Sequence, residues 1–213
     1  MEFIDEALAN YALAHSSSES DILRELNRET HLKVMQPRML SGHLQGRFLS
    51  LLSHLLEPKC ILEIGTYTGY SALCLAEGLS EQGVLHTIDN NPERDALVKR
   101  YISKAGMEGK ILPHIGDAHA VIPTIEGEFD LVFIDADKSS YAHYFDLVID
   151  RVRKGGIIIS DNVLWSGKVI EPVKPSDKDT QLIMAYNEKI SKDPRVETVL
   201  LPLRDGISVA RKK

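Results

Sequence analysis

Two short polar segments, each directly after an apolar run, carry the residue types best suited to chemistry. DADK at 135–138 follows the run FDLVFI, and Asp161-Asn162 follows the run GGIIIS. Each run is typical of a buried parallel strand. Because ligands bind outside the carboxyl ends of the strands in an open α/β sheet, we expect both segments to face one point. A turn and helix cap is the plainer interpretation of Asp161-Asn162.

The oxygen ligands of these segments predict a site for a hard cation. Asp135, Asp161 and Asn162 offer two carboxylates and one amide oxygen. This set suits Mg²⁺ or Ca²⁺ rather than Zn²⁺, because neither segment contains Cys or His. Lys138, three residues after the first ligand, completes a candidate reactive site. A surface ion pair with an aspartate is the alternative for Lys138, since most lysines are solvated.

A second candidate site begins at LEIGTYTGYS, residues 62–71, which reads as a strand, a glycine-containing turn and a helix start. The spacing is Gly-x-x-x-Gly, which is neither the dinucleotide fingerprint nor a phosphate loop. Gly65 lets the backbone turn tightly and approach a ligand. Glu63, just before it, suits an amino group better than a pyrophosphate.

Acidic residues also end the next two predicted strands. Asp89 ends LHTID, where a carboxylate can accept hydrogen bonds from ribose hydroxyls, and Asp117 lies in the turn GDA. Either aspartate alone has a plainer interpretation as a helix cap. Together with Glu63 they predict a ligand with a ribose, an adenine-like base and a cationic amino-acid end.

The elements that must position these residues alternate between strand and helix from Lys59 onward. We predict strands at 60–64, 84–88, 111–115, 129–134, 155–160, 196–202 and 206–211. Helices are predicted at 2–14, 19–32, 41–56, 69–80, 92–105, 118–123, 139–152 and 177–191.

This rhythm predicts a doubly wound α/β fold with a mostly parallel seven-stranded sheet, preceded by N-terminal helices. The short link around Gly206 permits only an antiparallel hairpin at the C-terminal end. We expect one domain over 1–213, with a helical cap at 1–56 and an α/β core at 57–213. Residues 166–178, after the candidate metal ligands, have the composition of an active-site loop.

Composition restricts the function classes. The net charge of −6 and the scattered basic residues argue against a nucleic-acid-binding surface. No apolar stretch reaches membrane-spanning length, so no membrane partner is expected. The acidic amino terminus lacks a signal-peptide pattern, and Cys60 and Cys74 read as buried thiols of a reducing compartment. We therefore expect a cytoplasmic protein.

The segments LEIGTYTGYS, HTID, GDA, FIDADKSSY and GGIIISDNVLW resemble those of the cation-dependent class I S-adenosylmethionine O-methyltransferases, the group of caffeoyl-CoA and catechol O-methyltransferases. The resemblance covers roughly residues 35–213. It implies a Rossmann-like methyltransferase fold and S-adenosylmethionine as cofactor. It also implies a divalent cation, with Mg²⁺ expected and Ca²⁺ or Mn²⁺ as alternatives, and a phenolic or catechol acceptor. With the N-terminal helices, it favours a homodimer.

The resemblance also implies residue roles. Asp89 binds the ribose, and Asp117 with Ala118 binds the adenine edge. Asp137 approaches the amino group of the cofactor. The remaining residues implied to contact the cofactor are Met39, Glu63, Gly65, Tyr67, Ser71 and Asp135.

The implied reaction is displacement at a sulfonium methyl by an acceptor oxygen held opposite the sulfur. A divalent cation stabilises the phenolate form of the acceptor. Lys138 is the candidate general base, and Asp135 the second catalytic residue. Trp165 either stacks on a planar acceptor or packs in a core or interface. Core packing is the expectation for at least one of Tyr141 and Tyr144.

The sequence disfavours two alternative functions. A nicotinamide-dependent oxidoreductase of Rossmann-like fold is disfavoured by the missing Gly-x-Gly-x-x-Gly. A non-catalytic protein that keeps the methyltransferase fold is disfavoured by the intact set Asp135, Lys138, Asp161 and Asn162.

Overall fold

The computed structural model describes residues 4–213, so residues 2 and 3 of the predicted first helix lie outside the described part. The α-helices of this part are Glu6–Ala14 (α1), Asp21–Lys33 (α2), Gly42–Leu56 (α3), Tyr70–Ala76 (α4), Asp95–Lys104 (α5), Ala118–Val121 (α6), Tyr141–Ile149 (α7) and Lys178–Lys192 (α8). The strands are Cys60–Ile64 (β1), Val84–Asp89 (β2), Ile111–Ile115 (β3), Phe129–Ile134 (β4), Val152–Asp161 (β5), Val196–Leu201 (β6) and Ile207–Lys212 (β7).

The strands form a seven-stranded, mostly parallel sheet, which confirms the predicted fold class. Chain contacts divide the molecule into two compact units. The first unit is Asn10–Ile125, and the second is Glu126–Lys213 with the residues up to Ala9. None of the helices described for residues 4–213 combines the length and the apolar character that crossing a membrane requires.

The first unit contains three parallel strands in the order β3-β2-β1. Ile61, Leu62 and Ile64 are buried, as expected for a central parallel strand. The whole of α4 is buried as well. An amphipathic pattern explains α2, since Leu23, Leu26 and Thr30 form its buried face. Ser20 caps this helix by accepting a hydrogen bond from the backbone N–H of Leu23.

The second unit contains the order β4-β5-β7-β6, with β4 parallel to β5. The strand β7 is antiparallel to both β5 and β6, so the predicted C-terminal hairpin is confirmed. Among the strands the largest difference is at β5, which begins at Val152 rather than at 155. Gly155 adopts φ +79° next to a register shift between β4 and β5, and such a bulge lets the strand continue through the glycine pair.

Hydrogen bonds and ion pairs around the half-buried Glu29 link α2 to α5 in the first unit. Glu29 accepts hydrogen bonds from the Tyr101 hydroxyl at 2.7 Å, from Lys33 at 3.0 Å and from Arg100 at 2.6 Å. The Tyr101 hydrogen bond, followed by Lys33 and Arg100, outweighs the opposing effect of burial and lowers the pKa of Glu29 to about 2. The carboxylate therefore stabilises the fold only while it is ionised.

We predict that Glu29→Gln lowers the free energy of unfolding at neutral pH. The difference in free energy from wild type should become smaller as the pH falls. The folded-state pKa is depressed, so the stabilisation is present above the unfolded-state pKa and is lost as the pH falls toward about 2. Urea titrations of both proteins between about pH 3 and pH 7 measure the difference. The exposed Glu126→Gln is the matched control. A Glu29→Gln difference that is the same at every pH would contradict the role of this network.

Candidate functional site

The glycine-containing turn of the first unit joins β1 to α4 and ties the ends of two strands together. Gly65 and Gly69 have φ of +106° and +88°, a conformation that glycine adopts without strain. The backbone N–H of Gly65 donates to the carbonyl of Ile88 at 2.9 Å. Tyr67, at φ +50°, directs its backbone N–H to Oδ2 of Asp89 at 2.8 Å. The predicted turn therefore lies against the carboxyl end of β2.

Two further predicted cofactor residues flank this turn inside the protein. Glu63 is fully buried in β1 and accepts a hydrogen bond from the Thr87 hydroxyl. Ser71 is buried in the first turn of α4. A buried carboxylate beside a helix start offers both a negative charge and backbone N–H donors to a zwitterionic ligand group.

Asp89 is held by an arginine that sequence reasoning did not identify. Its carboxylate accepts from the backbone N–H groups of Tyr67 and Asn91, each at 2.8 Å. The Arg94 guanidinium adds contacts of 3.0 and 3.3 Å to the two carboxylate oxygens and lies 5.2 Å from the Tyr67 ring centroid. The cap of the following Pro92–Arg94 turn is Asn91, which accepts from the Glu93 N–H at 2.9 Å. Asp89 is thus fixed at the strand end, with its carboxylate shared with Arg94.

The structure places Asp117 as the N-cap of α6, the alternative left open by the sequence. Its carboxylate accepts from the backbone N–H and lies 2.9 Å from Nδ1 of His119. Ala118, directly after it, is buried. Met39 ends the short 3₁₀ turn Pro37–Met39 and is 52% exposed.

The segment before Met39 contacts the glycine turn. The Tyr67 hydroxyl donates to the backbone carbonyls of Met35 and Gln36 at 3.1 and 3.2 Å. Thr30 in α2 adds a hydroxyl contact of 3.3 Å to Thr68. Helix α2 and the segment that follows it are therefore anchored beside the predicted cofactor segment within the first unit.

The candidate metal site of the second unit surrounds a buried lysine. Asp135 follows β4 directly, Asp161 is the last residue of β5, and Asn162 comes next with φ +59°. The Lys138 side chain is only 8% exposed. Its ammonium donates to Oδ1 of Asn162 at 2.8 Å and lies 3.6 Å from Oδ1 of Asp135. Lys138 is therefore a buried cation among the predicted ligands and not a solvated surface lysine.

The residues present fit a divalent cation. Asp135 and Asn162 already direct oxygens toward a positive charge, the Lys138 ammonium. Asp161 is 3% exposed and adds a second carboxylate whose Oδ1 accepts from the Asn162 N–H at 2.7 Å. Hard oxygen donors with two negative charges are the set that Mg²⁺ prefers. Within residues 4–213, no three His, Cys, Asp or Glu side chains cluster as a metal site, so the candidate rests on two carboxylates and one amide.

Tyr141 is a contact of this site to which sequence reasoning assigned no role beyond core packing. It is fully buried, and its hydroxyl accepts a hydrogen bond from Lys138. Burial, together with the charges of Asp135 and Asp161, raises the pKa of Tyr141 well above its ordinary value, so the hydroxyl stays protonated. The i, i+3 spacing from Lys138 is the signal that could have identified the contact.

Asp137 is engaged by its own turn and by the helix that follows. Its carboxylate accepts from the Tyr144 hydroxyl and from the Ser139 hydroxyl, each at 2.8 Å. Partial burial would raise the pKa of Asp137, but the hydrogen bonds from Ser140, Ser139 and Tyr144 outweigh it and lower the pKa. Asp137 is therefore a preorganised carboxylate beside the candidate metal site.

Trp165 lies close to Lys138 in the second unit. Its backbone adopts φ +48°, and its ring centroid lies 5.8 Å from the Lys138 ammonium. Its indole Nε1 is buried and has no hydrogen-bond partner among the described residues. The ring is thus close enough to Lys138 to contribute an aromatic wall to the candidate site.

Comparison with known proteins agrees with this geometry. The sequence profile of the O-methyltransferase family matches residues 13–213. A probable caffeoyl-CoA O-methyltransferase 2 of Dictyostelium discoideum is 35% identical over 98% of this chain and 92% of that protein. The caffeoyl-CoA O-methyltransferase of Medicago sativa is 36% identical over 97% of this chain and 89% of that protein.

Solved structures show the same fold. A Podospora anserina methyltransferase bound to S-adenosylhomocysteine superimposes with a TM-score of 0.88 at 30% identity, covering 99% of this chain and 97% of that one. An O-methyltransferase from Bacillus cereus in complex with S-adenosylhomocysteine gives a TM-score of 0.86 at 30% identity, with 97% of each chain covered. With the glycine turn, the strand-end aspartates and the profile match in place, the chain belongs to the O-methyltransferase family.

Proposed function

We propose that this protein transfers a methyl group from S-adenosylmethionine to a hydroxyl of a catechol-like or caffeoyl-like small molecule, with the help of a divalent cation. The observation that carries the proposal is the buried Lys138 ammonium among the oxygens at the ends of β4 and β5. The names of the relatives support a caffeoyl-type acceptor, and the two solved structures bound to S-adenosylhomocysteine support the cofactor. Membership of the O-methyltransferase family argues against an oxidoreductase.

The first unit provides the residues proposed to bind the cofactor. Asp89 is held by backbone N–H groups at the end of β2, where its carboxylate can accept from the ribose hydroxyls. A shallow cleft lies beside it and is lined in part by Tyr67, Arg94 and His114. Because Arg94 contacts both carboxylate oxygens, the ribose must share Asp89 with Arg94 or displace it.

The other residues proposed to contact the cofactor are assigned to different parts of it. Glu63 of the first unit supplies negative charge for the ammonium of the methionine part. Asp135 and Asp137 of the second unit are proposed as cofactor residues from the family resemblance. Asp117 and Ala118 flank the adenine edge. Gly65, Tyr67 and Ser71 would line the methionine part of the cofactor, and Met39 would lie near the cofactor and the acceptor.

The second unit provides the residues proposed to act on the acceptor. Asp135, Asp161 and Asn162 would hold the cation, for which Mg²⁺ is preferred and Mn²⁺ and Ca²⁺ are alternatives. The cation, when bound, supplies positive charge that stabilises the phenolate form of the acceptor. Lys138 is the proposed general base, which would accept the proton of the acceptor hydroxyl at Nζ. Trp165 packs against the planar face of the acceptor.

Assembly and location remain predictions. A homodimer would cover exposed apolar side chains such as Leu51 and Leu55, which are 59% and 74% exposed on α3. We also retain cytoplasmic location and the single-domain organisation as proposals from the sequence.

Metal removal tests the cation directly. We predict that protein treated with a chelator loses catechol methylation and recovers it with Mg²⁺ or Mn²⁺. Asp161→Asn should be nearly inactive yet bind S-adenosylhomocysteine as wild type does, because the substitution removes one ligand charge from the second unit. Asp150→Asn, an exposed carboxylate paired with Arg195, is the matched control. Full activity in excess chelator, with metal removal verified, would contradict the proposal.

Loss of the Asp89 carboxylate should weaken cofactor binding. Hydrogen bonds to a charged group contribute about 1.5–3 kcal/mol, so Asp89→Ala should raise the dissociation constant of S-adenosylmethionine on the order of ten- to a hundred-fold. Titration calorimetry measures the change, and circular dichroism checks the fold. Asp21→Ala, an exposed carboxylate of the same unit that pairs with Arg24, should bind normally. An unchanged dissociation constant for Asp89→Ala would show that the ribose lies elsewhere.

Removing the lysine amine separates base catalysis from metal activation. We predict that Lys138→Met lowers kcat by about 10²–10⁴-fold at neutral pH, since general bases typically contribute that much. Higher pH or a more acidic catechol should partly restore the rate, because phenolate then forms without the base. Metal occupancy must be confirmed in the variant, and Lys189→Met, which removes an ion pair with Asp146, is the control. A Lys138→Met rate within about threefold of wild type across pH would reduce Lys138 to a structural residue.

A further inference from the structure

We propose that Tyr141 is a positioning residue for Lys138. Its hydroxyl fixes the lysine amine at the candidate metal site by linking it to the backbone at the ends of β4 and β5. The proposal rests on the role of Lys138 proposed above and adds the residue that makes this flexible side chain a defined catalytic group.

The Lys138 ammonium makes two hydrogen bonds and one ion pair. A lysine ammonium has three N–H donors. The Nζ atom donates to the Tyr141 hydroxyl and to Oδ1 of Asn162 at 2.8 Å, and it faces Oδ1 of Asp135 at 3.6 Å. Two of these partners belong to the candidate metal ligands, whereas Tyr141 does not. Tyr141 is therefore the partner that can hold the amine without competing for the cation.

The hydroxyl of Tyr141 also connects both strand ends. It donates to the carbonyl of Asp161, the last residue of β5, at 3.0 Å. The carbonyl of Ile134, the last residue of β4, lies 3.4 Å away. Because the single hydroxyl hydrogen points toward these carbonyls, the oxygen lone pairs remain for Lys138. One hydroxyl thus fixes the amine relative to the two segments that carry the metal ligands.

The Tyr141 ring is itself held in place. It is fully buried and packs edge to face against Tyr186, with centroids 5.4 Å apart at 72°. This packing comes from the Tyr186 ring, whose own hydroxyl bonds to Ser160 and not to Lys138. The Lys138 ammonium lies 4.5 Å from the Tyr141 ring centroid, so the ring also restricts the amine by a cation–π contact.

These contacts predict a kinetic effect confined to the chemical step. A lysine side chain has four rotatable bonds, and small misplacements of a catalytic group can cost about a hundred-fold in rate. Tyr141→Phe keeps the ring and its packing and removes only the hydroxyl. We expect kcat to fall on the order of 10- to 100-fold, with the acceptor KM and the Mn²⁺ dissociation constant within about twofold of wild type.

The matched control is Tyr186→Phe. It removes a hydroxyl from a neighbouring, equally buried tyrosine that bonds to Ser160 and not to Lys138. We expect this variant to keep wild-type kcat at a comparable loss of stability. Combining Tyr141→Phe with Lys138→Met should give no further loss beyond Lys138→Met alone, because the tyrosine acts through the lysine. Additive losses, or equal effects of the two Tyr→Phe variants, would overturn the proposal.

NMR spectroscopy tests whether the Lys138 side chain is fixed without any measurement of activity. In protein labelled with ¹³C and ¹⁵N at lysine, the ε-methylene signal that disappears in Lys138→Met should be shifted by the aromatic ring and immobile in wild type. In Tyr141→Phe it should become mobile, while in Tyr186→Phe it should not change. If Tyr141→Phe does not fold, the wild-type spectrum decides, since a mobile, unshifted Lys138 signal overturns the proposal.

Different results would contradict the proposed base catalysis by Lys138 and the proposed role of Tyr141. A fully active Lys138→Met would contradict the proposed base and, with it, this inference. A severely impaired Lys138→Met together with a fully active Tyr141→Phe would contradict the role of Tyr141 alone.

Discussion

The candidate site of the second unit depends on one physical constraint, the burial of the Lys138 ammonium among oxygen atoms. A charge removed from water is costly unless its partners replace the lost hydration. Here the replacement comes from Asn162, Asp135 and the hydroxyl of Tyr141. The ends of β4 and β5 must hold these groups in place, and the parallel pairing of the two strands makes this possible. Two of these partners, Asp135 and Asn162, are also among the ligands we propose for the divalent cation.

In the first unit a charged group is also held by fixed partners, which here are backbone N–H groups. Asp89 is fixed by two N–H groups, one from the glycine turn and one from Asn91, before any ligand is considered. A carboxylate held in this way loses little conformational entropy when it accepts hydrogen bonds from a ligand. Arg94 complicates this arrangement, because it already contacts both carboxylate oxygens. Exchange between Arg94 and the ribose would make cofactor affinity depend on this arginine.

The sequence predicted the fold well because its signals are local. Apolar runs, glycine turns and the short link at Gly206 specify strands, turns and the final hairpin without reference to distant residues. The start of β5 at Val152 could not be predicted in this way, since it depends on a bulge opposite β4. The strand-end aspartates were found for the same local reason, as each follows an apolar run.

Contacts that depend on how turns and strand ends fold were not predictable. The i, i+3 spacing points to the contact of Tyr141 with Lys138, but nothing in residues 141–149 indicates that the same hydroxyl also meets the carbonyl of Asp161. Arg94 was missed because its pairing with Asp89 depends on how the Pro92–Arg94 turn folds back. Asp117 shows the opposite case, in which helix capping, the plainer interpretation, is also what the structure contains.

The most direct test of the central claim is a crystal structure grown with Mn²⁺, in which anomalous scattering locates the metal. The account predicts an anomalous peak at coordination distance, about 2.0–2.6 Å, from oxygens of Asp135, Asp161 and Asn162. A peak bound by other residues, or no peak at these oxygens in crystals of active enzyme, would contradict it.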